Sequence, residues 1–150
     1  MKKILVVCLG NICRSPTAEA VLKARAKQLD VAVTVDSAGT IGYHAGKSPD
    51  KRAMQAGKKR GYSFNGIFSR QVRSSDFTEF DLILAADRQN LADLTARCPH
   101  HLQHKLALFL EYGEQAVSAI PDPYYGGDDG FEQVLDLIEA ASDKILAKLA

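Results

Sequence analysis

The sequence predicts an α/β fold in which a parallel sheet is covered by helices on both faces. Short apolar runs alternate with helical patterns along the 150-residue chain. Residues 4–7 form a continuous aliphatic run, which is typical of a central parallel strand buried on both sides. Strands that alternate with helices in this way are joined by right-handed crossovers. The length fits one domain, so we expect residues 1–150 to form a single unit.

The first half of the chain supplies two strands and two helices. After the run at 4–7 and a polar loop, Ser15 is a suitable N-cap, and Pro16 fits the first position of a helix that runs to residue 29. Alternating valines over 31–35 predict an edge strand that the next four residues close. A second helix is predicted over 50–60, and the glycine at position 61 marks its end.

The second half contains two more strands and two more helices. Strands are predicted over 80–86 and 105–110, with a short helix over 90–96 between them. Two prolines make residues 120–127 a rigid loop that cannot continue a helix. From Phe131 onward the apolar residues recur at helical spacing, which predicts a long amphipathic C-terminal helix.

Composition excludes several classes of partner. The chain has 19 basic and 18 acidic residues, a formal net charge of +1 and a pI near 7.7, so neither a nucleic acid nor an anionic membrane surface is predicted to bind it. No run is long enough to span a membrane, and the N-terminal apolar run is too short for a signal peptide. The three cysteines form no paired framework, so we expect thiols in a reducing cytoplasm.

Cys8 and Arg14 have the spacing C-x5-R-S between the first predicted strand and the first predicted helix. A loop in that position directs backbone N–H groups into one concavity, where the helix dipole adds positive potential, and such a concavity fits a phosphate. Arg14 can grip two phosphate oxygens in a bidentate fork. Cys8 is expected to be a thiolate nucleophile that needs no catalytic histidine. The alternative is an inert cysteine that ends a core strand.

The rest of this loop is expected to bind the substrate. Gly10 can adopt backbone angles that are forbidden to other residues, and Ser15 can donate a hydrogen bond to a thiolate. The predicted substrate-binding residues of the loop are Leu9, Gly10, Asn11, Ile12, Cys13 and Ser15.

A general acid and aromatic walls are predicted outside the loop. The oxygen that leaves phosphorus needs a proton, and Asp122, held between two prolines, is the candidate donor. The alternative is an ordinary Asp-Pro turn. Tyr43, Tyr124 and Tyr125 are candidate walls of a deep slot, which would favour a flat phenyl phosphate over the shorter phosphoserine. Tyr43 can equally be a partly buried loop aromatic.

A metal site is not predicted. Cys98 lies near three histidines, but the spacing matches no standard zinc pattern, and only one cysteine contributes. The histidines are His100, His101 and His104. No cofactor is predicted either.

Three segments together resemble the low-molecular-weight protein tyrosine phosphatases, and the mouth segment at 40–45 resembles that of the bacterial type. The three segments are V-C-L-G-N-I-C-R-S-P at 7–16, D-S-A-G-T at 36–40 and D-P-Y-Y at 122–125. The resemblance implies a single phosphatase domain over 1–150 with a doubly wound, four-stranded parallel sheet in the strand order 2-1-3-4. It also implies a phosphocysteine intermediate on Cys8, with Asp122 acting first as acid and then as base toward water.

The same resemblance implies roles for other residues. Asn11 would hold the loop through hydrogen bonds, Ser15 would stabilise the Cys8 thiolate, and Tyr43 with His44 would border the substrate mouth.

It also implies a redox partner and a protein substrate. Cys13 matches the second cysteine, whose disulfide with the nucleophile protects it from irreversible oxidation. The expected partner is a phosphotyrosine-containing protein, in bacteria a tyrosine kinase among others. The phosphatase itself is expected to be a monomer or a weak dimer.

Other functions fit the residues less well. An arsenate reductase on a similar fold needs two further cysteines, and only Cys98 remains. An arginine phosphatase carries threonine where this loop has the apolar Ile12, which favours tyrosine. A phosphocarrier of sugar transport would need neither Arg14 nor Asp122. A module that only binds phosphotyrosine would be free to lose Cys8 or Asp122, yet both are present.

Overall fold

In the described residues, four parallel strands form one sheet whose order is second, first, third and fourth strand, as predicted. The computed structural model describes residues 1–123 and 128–150, and the side chains at 128 and 129 are left out of the description. The strands are β1 (Lys2–Cys8), β2 (Val33–Gly39), β3 (Leu82–Ala85) and β4 (Leu106–Leu108). β1 is paired on both sides, which its unbroken aliphatic run requires, and β2 lies at an edge.

Helices cover both faces of this sheet. They are α1 (Arg14–Leu29), α2 (Lys51–Lys59), α3 (Asp76–Glu79), α4 (Arg88–Arg97), α5 (Phe109–Tyr112) and α6 (Asp128–Leu149), with a 3-10 helix at His100–Lys105. Ile4 and Val6 of β1 pack into a core with α1, α2 and α6. Leu5 and Val7 point the other way, into a core with α3 and α4. The alternation of side chains along one strand therefore divides the interior into two layers.

Several boundaries differ from the sequence prediction. β2 does not close at residue 36 but continues to Gly39, because the backbone of 36–39 stays in register with β1 until the pair Cys8 and Gly39. The predicted strand over 105–110 is only three residues long, and Phe109 and Leu110 begin α5. Both side chains are fully buried, and a short apolar run does not distinguish a strand from a buried helical turn.

The start of α1 was predicted wrongly. The helix begins at Arg14, and Cys13 occupies the N-cap position without a side-chain capping bond. Ser15 is therefore inside the first turn, and its hydroxyl is 3.0 Å from Cys8 Sγ instead of capping the helix. Pro16 is the third helical residue, where its missing N–H has no intrahelical partner to lose.

The topology places one edge of the sheet beside a helix N-terminus. β1 ends at Cys8, β2 ends beside it, and α1 begins six residues later. The carboxyl ends of parallel strands at a reversal of strand order form the usual ligand crevice of such sheets. None of the helices within the described ranges is long and apolar enough to cross a bilayer.

Candidate active site

The loop that joins β1 to α1 contains one residue in left-handed geometry, Asn11, with φ of 56°. The sequence prediction assigned unusual backbone angles to Gly10 instead, and that prediction is wrong, because the φ of Gly10 is not in the left-handed region. Gly10 has a different reason to lack a side chain. A Cβ there would lie 3.0 Å from Cδ2 of His44, so the glycine makes room for the imidazole.

The loop surrounds a cavity of about 270 Å³ at the carboxyl end of the sheet. Its lining residues are Cys8, Leu9, Gly10, Ile12, Cys13, Arg14, Ile41, Tyr43, His44 and Asp122. Sequence reasoning missed only Ile41 among them. Its side chain is 40% exposed, and the signal available was an aliphatic residue directly after the D-S-A-G-T segment.

Two polar groups lie within hydrogen-bond distance of the sulfur of Cys8. The backbone N–H of Asn11 donates to Sγ over 3.3 Å, and the hydroxyl of Ser15 lies 3.0 Å away. Asn11 Nδ2 donates to Ser15 Oγ over 2.8 Å, so the hydroxyl proton must point elsewhere. Cys8 Sγ is closer than the carbonyl of Ala38, at 3.4 Å. A thiolate has no proton to donate, so the Ser15 hydroxyl is the donor in this contact when Cys8 is ionised.

The Asn11 side chain is satisfied at every polar atom. Its second amide proton goes to Ser37 Oγ at 2.9 Å, and its carbonyl oxygen accepts from the backbone N–H of Arg70 at 3.0 Å. Ser37 in turn donates to the buried carboxylate of Glu19 over 2.6 Å. Sequence reasoning missed Ser37 and Glu19. The sequence signal for Ser37 was a polar side chain in the D-S-A-G-T segment, at the end of a strand that does not require one.

Arg14 is buried and held in place by other groups. Its Nη1 donates to Asp87 Oδ2 over 2.7 Å and to the carbonyl of Ile120 over 3.1 Å. Its Nη2 lies 3.8 Å from Oδ2 of Asp122, whose side chain is 42% exposed at the cavity wall. Asp87 also caps α4 by accepting from Asn90 N–H. That capping position was the signal by which sequence reasoning could have found Asp87.

Aromatic side chains border the mouth of the cavity. Tyr43 and His44 meet edge to face, with ring centroids 4.8 Å apart, and Tyr43 is 79% exposed. Tyr43 was predicted either to line the slot or to be a partly buried loop aromatic, and in the structure it lines the cavity. The other predicted walls, Tyr124 and Tyr125, lie outside the described residues.

The thiols of this chain are all free. Burial raises the pKa of Cys13 to about 12, and the negative charges of Asp50, Cys8 and Asp122 add to that effect. Within the described ranges, no group of three or more histidine, cysteine, aspartate or glutamate side chains is arranged to hold a metal ion.

Comparison with known proteins identifies the family. A family model described as low molecular weight phosphotyrosine protein phosphatase matches residues 3–150. The chain belongs to this family. The phosphatase is 47% identical over 151 residues to a Synechocystis protein provisionally named a low molecular weight protein-tyrosine-phosphatase, and the match covers 98% of this chain and 96% of that one.

Solved structures give the same result. A protein tyrosine phosphatase from Entamoeba histolytica, with Hepes in its active site, superposes with a TM-score of 0.95 at 43% identity, covering 99% of this chain and 97% of that one. Vibrio vulnificus Wzb in complex with benzylphosphonate superposes with a TM-score of 0.87 at 34% identity, covering 99% of both chains. The phosphatase fold predicted from the sequence is thus confirmed.

The end of β2 explains why a glycine stands at position 39. A Cβ there would lie 2.7 Å from the carbonyl oxygen of Leu9 and 3.1 Å from the carbonyl carbon of Gly10. Both are backbone atoms of the loop, so neither can rotate away. The pairing of β1 with β2 therefore brings the backbone of Leu9 and Gly10 so close to β2 that no side chain fits at position 39.

We expect Gly39→Ala to lower kcat/KM for para-nitrophenyl phosphate by about tenfold or more, because the displaced loop can no longer hold its donors in line. Steady-state kinetics measures this, with circular dichroism to establish that the variant is folded. Gly42→Ala is the matched control, since its Cβ would meet only the side chain of Gln71, whose nearest atom is the terminal Oε1 at 3.0 Å. Equal kinetics for both variants would contradict the close-approach argument.

We expect Cys13 to resist alkylation by iodoacetamide at pH 8, because only the thiolate reacts and this thiol stays protonated. The raised pKa means that labelling of Cys13 increases only as the pH approaches about 12. Mass spectrometry of peptides measures the labelling of each cysteine, and urea-unfolded protein, in which all three react, is the control. Labelling of folded Cys13 at the unfolded rate at pH 8 would refute the prediction.

Proposed function

We propose that the chain hydrolyses phosphotyrosine in proteins through a phosphocysteine intermediate on Cys8, in one catalytic domain that spans 1–150. One observation carries the proposal. The sulfur of Cys8 lies in a cavity beside a helix N-terminus and accepts a hydrogen bond from the N–H of Asn11, with the Ser15 hydroxyl 3.0 Å away. These donors stabilise a thiolate and leave it facing the space that a phosphate would fill.

In the first step the thiolate attacks phosphorus. The S–P bond forms as the bond from phosphorus to the phenolic oxygen breaks, and Asp122 transfers its proton to that oxygen. The Arg14 guanidinium, already fixed by Asp87, holds the equatorial phosphate oxygens as charge shifts among them.

In the second step water attacks the phosphocysteine. Asp122, now a carboxylate, accepts a proton from the water, the S–P bond breaks, and inorganic phosphate leaves the restored Cys8 thiolate. The same carboxyl group therefore serves as acid and then as base, and its half-exposed position at the cavity wall gives both leaving group and water access to it.

An aromatic phosphate suits the cavity better than an alkyl one. Ile41 and Tyr43 present apolar surface at the mouth, and Ile12 presents an apolar side chain within the loop. The bound molecule of the Vibrio relative, benzylphosphonate, is a phenyl ring joined to phosphorus through one carbon. A phosphotyrosine has the same arrangement of ring and phosphorus, with oxygen in place of that carbon.

We further propose that Cys13 protects Cys8 during oxidation. A peroxide converts the Cys8 thiolate to a sulfenic acid, and the Cys13 thiol then displaces hydroxide, which leaves as water, to form a disulfide. Oxidation removes the thiolate charge that helps to raise the pKa of Cys13, so the second thiol becomes easier to ionise when it is needed. Reduction of this disulfide to the active thiol requires reducing conditions, which fits the cytoplasm as the proposed location. We expect a tyrosine kinase to be among the substrates there.

We expect Cys8→Ser to abolish hydrolysis of para-nitrophenyl phosphate while inorganic phosphate still binds, because the loop amides and Arg14 remain. Kinetics in reductant and calorimetry of phosphate binding measure the two properties. Phosphotyrosine, phosphoserine and phosphoarginine are compared in parallel on the unmodified protein, and phosphotyrosine is expected to be preferred. Residual turnover in Cys8→Ser, or no turnover by the unmodified protein, would refute the proposal.

We expect Asp122→Ala to lower kcat/KM, which reports the steps up to departure of the leaving group, by roughly 10²–10⁴-fold for phosphotyrosine, the usual contribution of general acid catalysis. The loss should be smaller for para-nitrophenyl phosphate, because nitrophenolate leaves with less need of a proton. Asp30→Asn, an exposed change far from the cavity at a left-handed position that asparagine tolerates, is the control. An equal loss for both leaving groups would exclude Asp122 as the acid.

A further inference from the structure

Basic residues are concentrated in the segment beside the active-site mouth. Residues 41–75 carry eight lysines and arginines but a single acidic residue, Asp50, although the whole chain is nearly balanced. The arginines Arg52, Arg60 and Arg70 of this segment are engaged in ion pairs. Their charge is thereby compensated within the fold.

Lysines of the same segment are not compensated in that way. Lys47, Lys51 and Lys58 are exposed, and none of them forms an ion pair with another residue in the part of the chain that the structure describes. Lys51 and Lys58 are two helical turns apart and share one face of α2 with Met54. Their ammonium groups therefore flank the same strip of surface.

Another cavity, of about 220 Å³, opens on this strip. Lys58 is part of its lining, and Phe68, at its edge, is 59% exposed. The apolar side chains that line it are those of Pro49, Met54, Phe64, Ile67 and Phe68. We call this cavity together with Lys47, Lys51 and Lys58 the basic groove.

The basic groove shares a wall with the active site. His44 lines the phosphate cavity, and Ser48, four residues later, lines the groove. The wall is fastened to the catalytic loop, since the N–H of Asp50 donates to the carbonyl of Ile12 over 2.8 Å. Four residues of chain span at most about 14 Å, so a peptide bound in the phosphate cavity reaches the groove within about four residues.

We propose that the basic groove binds an acidic segment of the substrate protein that lies within about four residues of the phosphotyrosine, with one apolar side chain of that segment in the cavity. The inference rests on the proposed function and adds a substrate preference to it. Complementary charge steers such a segment toward the mouth, and burial of the apolar side chain holds it there.

Carboxylates suit this surface better than a second phosphate does. Lys47, Lys51 and Lys58 are separate point charges on flexible stems, and the groove presents no arginine fork of the kind that grips one phosphate in two places. Separate charges match carboxylates spread along a peptide. They are also exposed, so added salt should weaken their effect.

The experiment compares three phosphotyrosine peptides with para-nitrophenyl phosphate. One peptide has glutamates and a leucine within four residues of the phosphotyrosine, the second has glutamine for each glutamate, and the third carries one further phosphotyrosine in a glutamine background. We expect kcat/KM for the acidic peptide to exceed that of the neutral one by about tenfold at low salt, mainly through KM, and the ratio to fall as sodium chloride is added.

The triple variant Lys47→Gln, Lys51→Gln, Lys58→Gln should remove most of this ratio. The matched control is Lys2→Gln, Lys27→Gln, Lys144→Gln, which removes three exposed charges elsewhere on the surface and should keep it. Phe68→Ala should lower kcat/KM for the acidic peptide relative to a fourth peptide in which serine replaces the leucine. An unchanged ratio in the first triple variant, an equal loss in both, or preference for the doubly phosphorylated peptide alone would overturn the proposal.

Binding separates this proposal from the catalytic one. Affinities of the same peptides for Cys8→Ser, measured by fluorescence anisotropy in that background with and without the lysine changes, do not depend on turnover. If no substrate is hydrolysed but the acidic peptide still binds more tightly through the three lysines, only the proposed chemistry fails. If hydrolysis occurs and the affinities are equal, only the basic groove fails.

Discussion

The amide of Asn11 ties the catalytic loop to the rest of the molecule. The side-chain amide donates to Ser15 in α1 and to Ser37 in β2, and its carbonyl oxygen accepts from the backbone N–H of Arg70. The backbone N–H of Asn11 donates to the sulfur of Cys8. A residue in left-handed geometry is normally disfavoured, and asparagine tolerates it better than most. The hydrogen bonds offset that strain, so the loop keeps its shape before any substrate arrives.

Because its hydrogen-bond donors are held in place before a ligand binds, the site needs little ordering on binding. The Arg14 guanidinium is already held by Asp87 and by the carbonyl of Ile120. In the proposed mechanism a phosphate therefore meets donors whose conformational entropy has been lost during folding, and binding need not order them again. The buried carboxylate of Glu19 accepts a hydrogen bond from Ser37 and so holds the hydroxyl to which Asn11 donates.

Much of the fold and of the site was predictable from the sequence, and the exceptions have physical causes. A continuous aliphatic run showed that β1 is central, because both of its faces are buried, and apolar residues at helical spacing showed that α6 is long. Neither pattern showed that β2 continues to Gly39 or that Phe109 starts a helix, since those depend on neighbours distant in sequence. Motif spacing brought out Cys8 and Arg14 but not Asp87, which reaches the site only through folding.

The backbone contacts of Ile120 connect two residues that line the cavity, Arg14 and Asp122. The N–H of Ile120 donates to the carbonyl of Ala86 at the end of β3, and its own carbonyl accepts from Arg14. Asp122 follows two residues later, between prolines that fix their φ angles. Few rotatable bonds thus separate the Asp122 carboxyl group from a backbone carbonyl that Arg14 holds. The backbone of Ile120 is held at both its N–H and its carbonyl, so the position of the Asp122 carboxyl group depends on the same contacts that hold the Arg14 guanidinium.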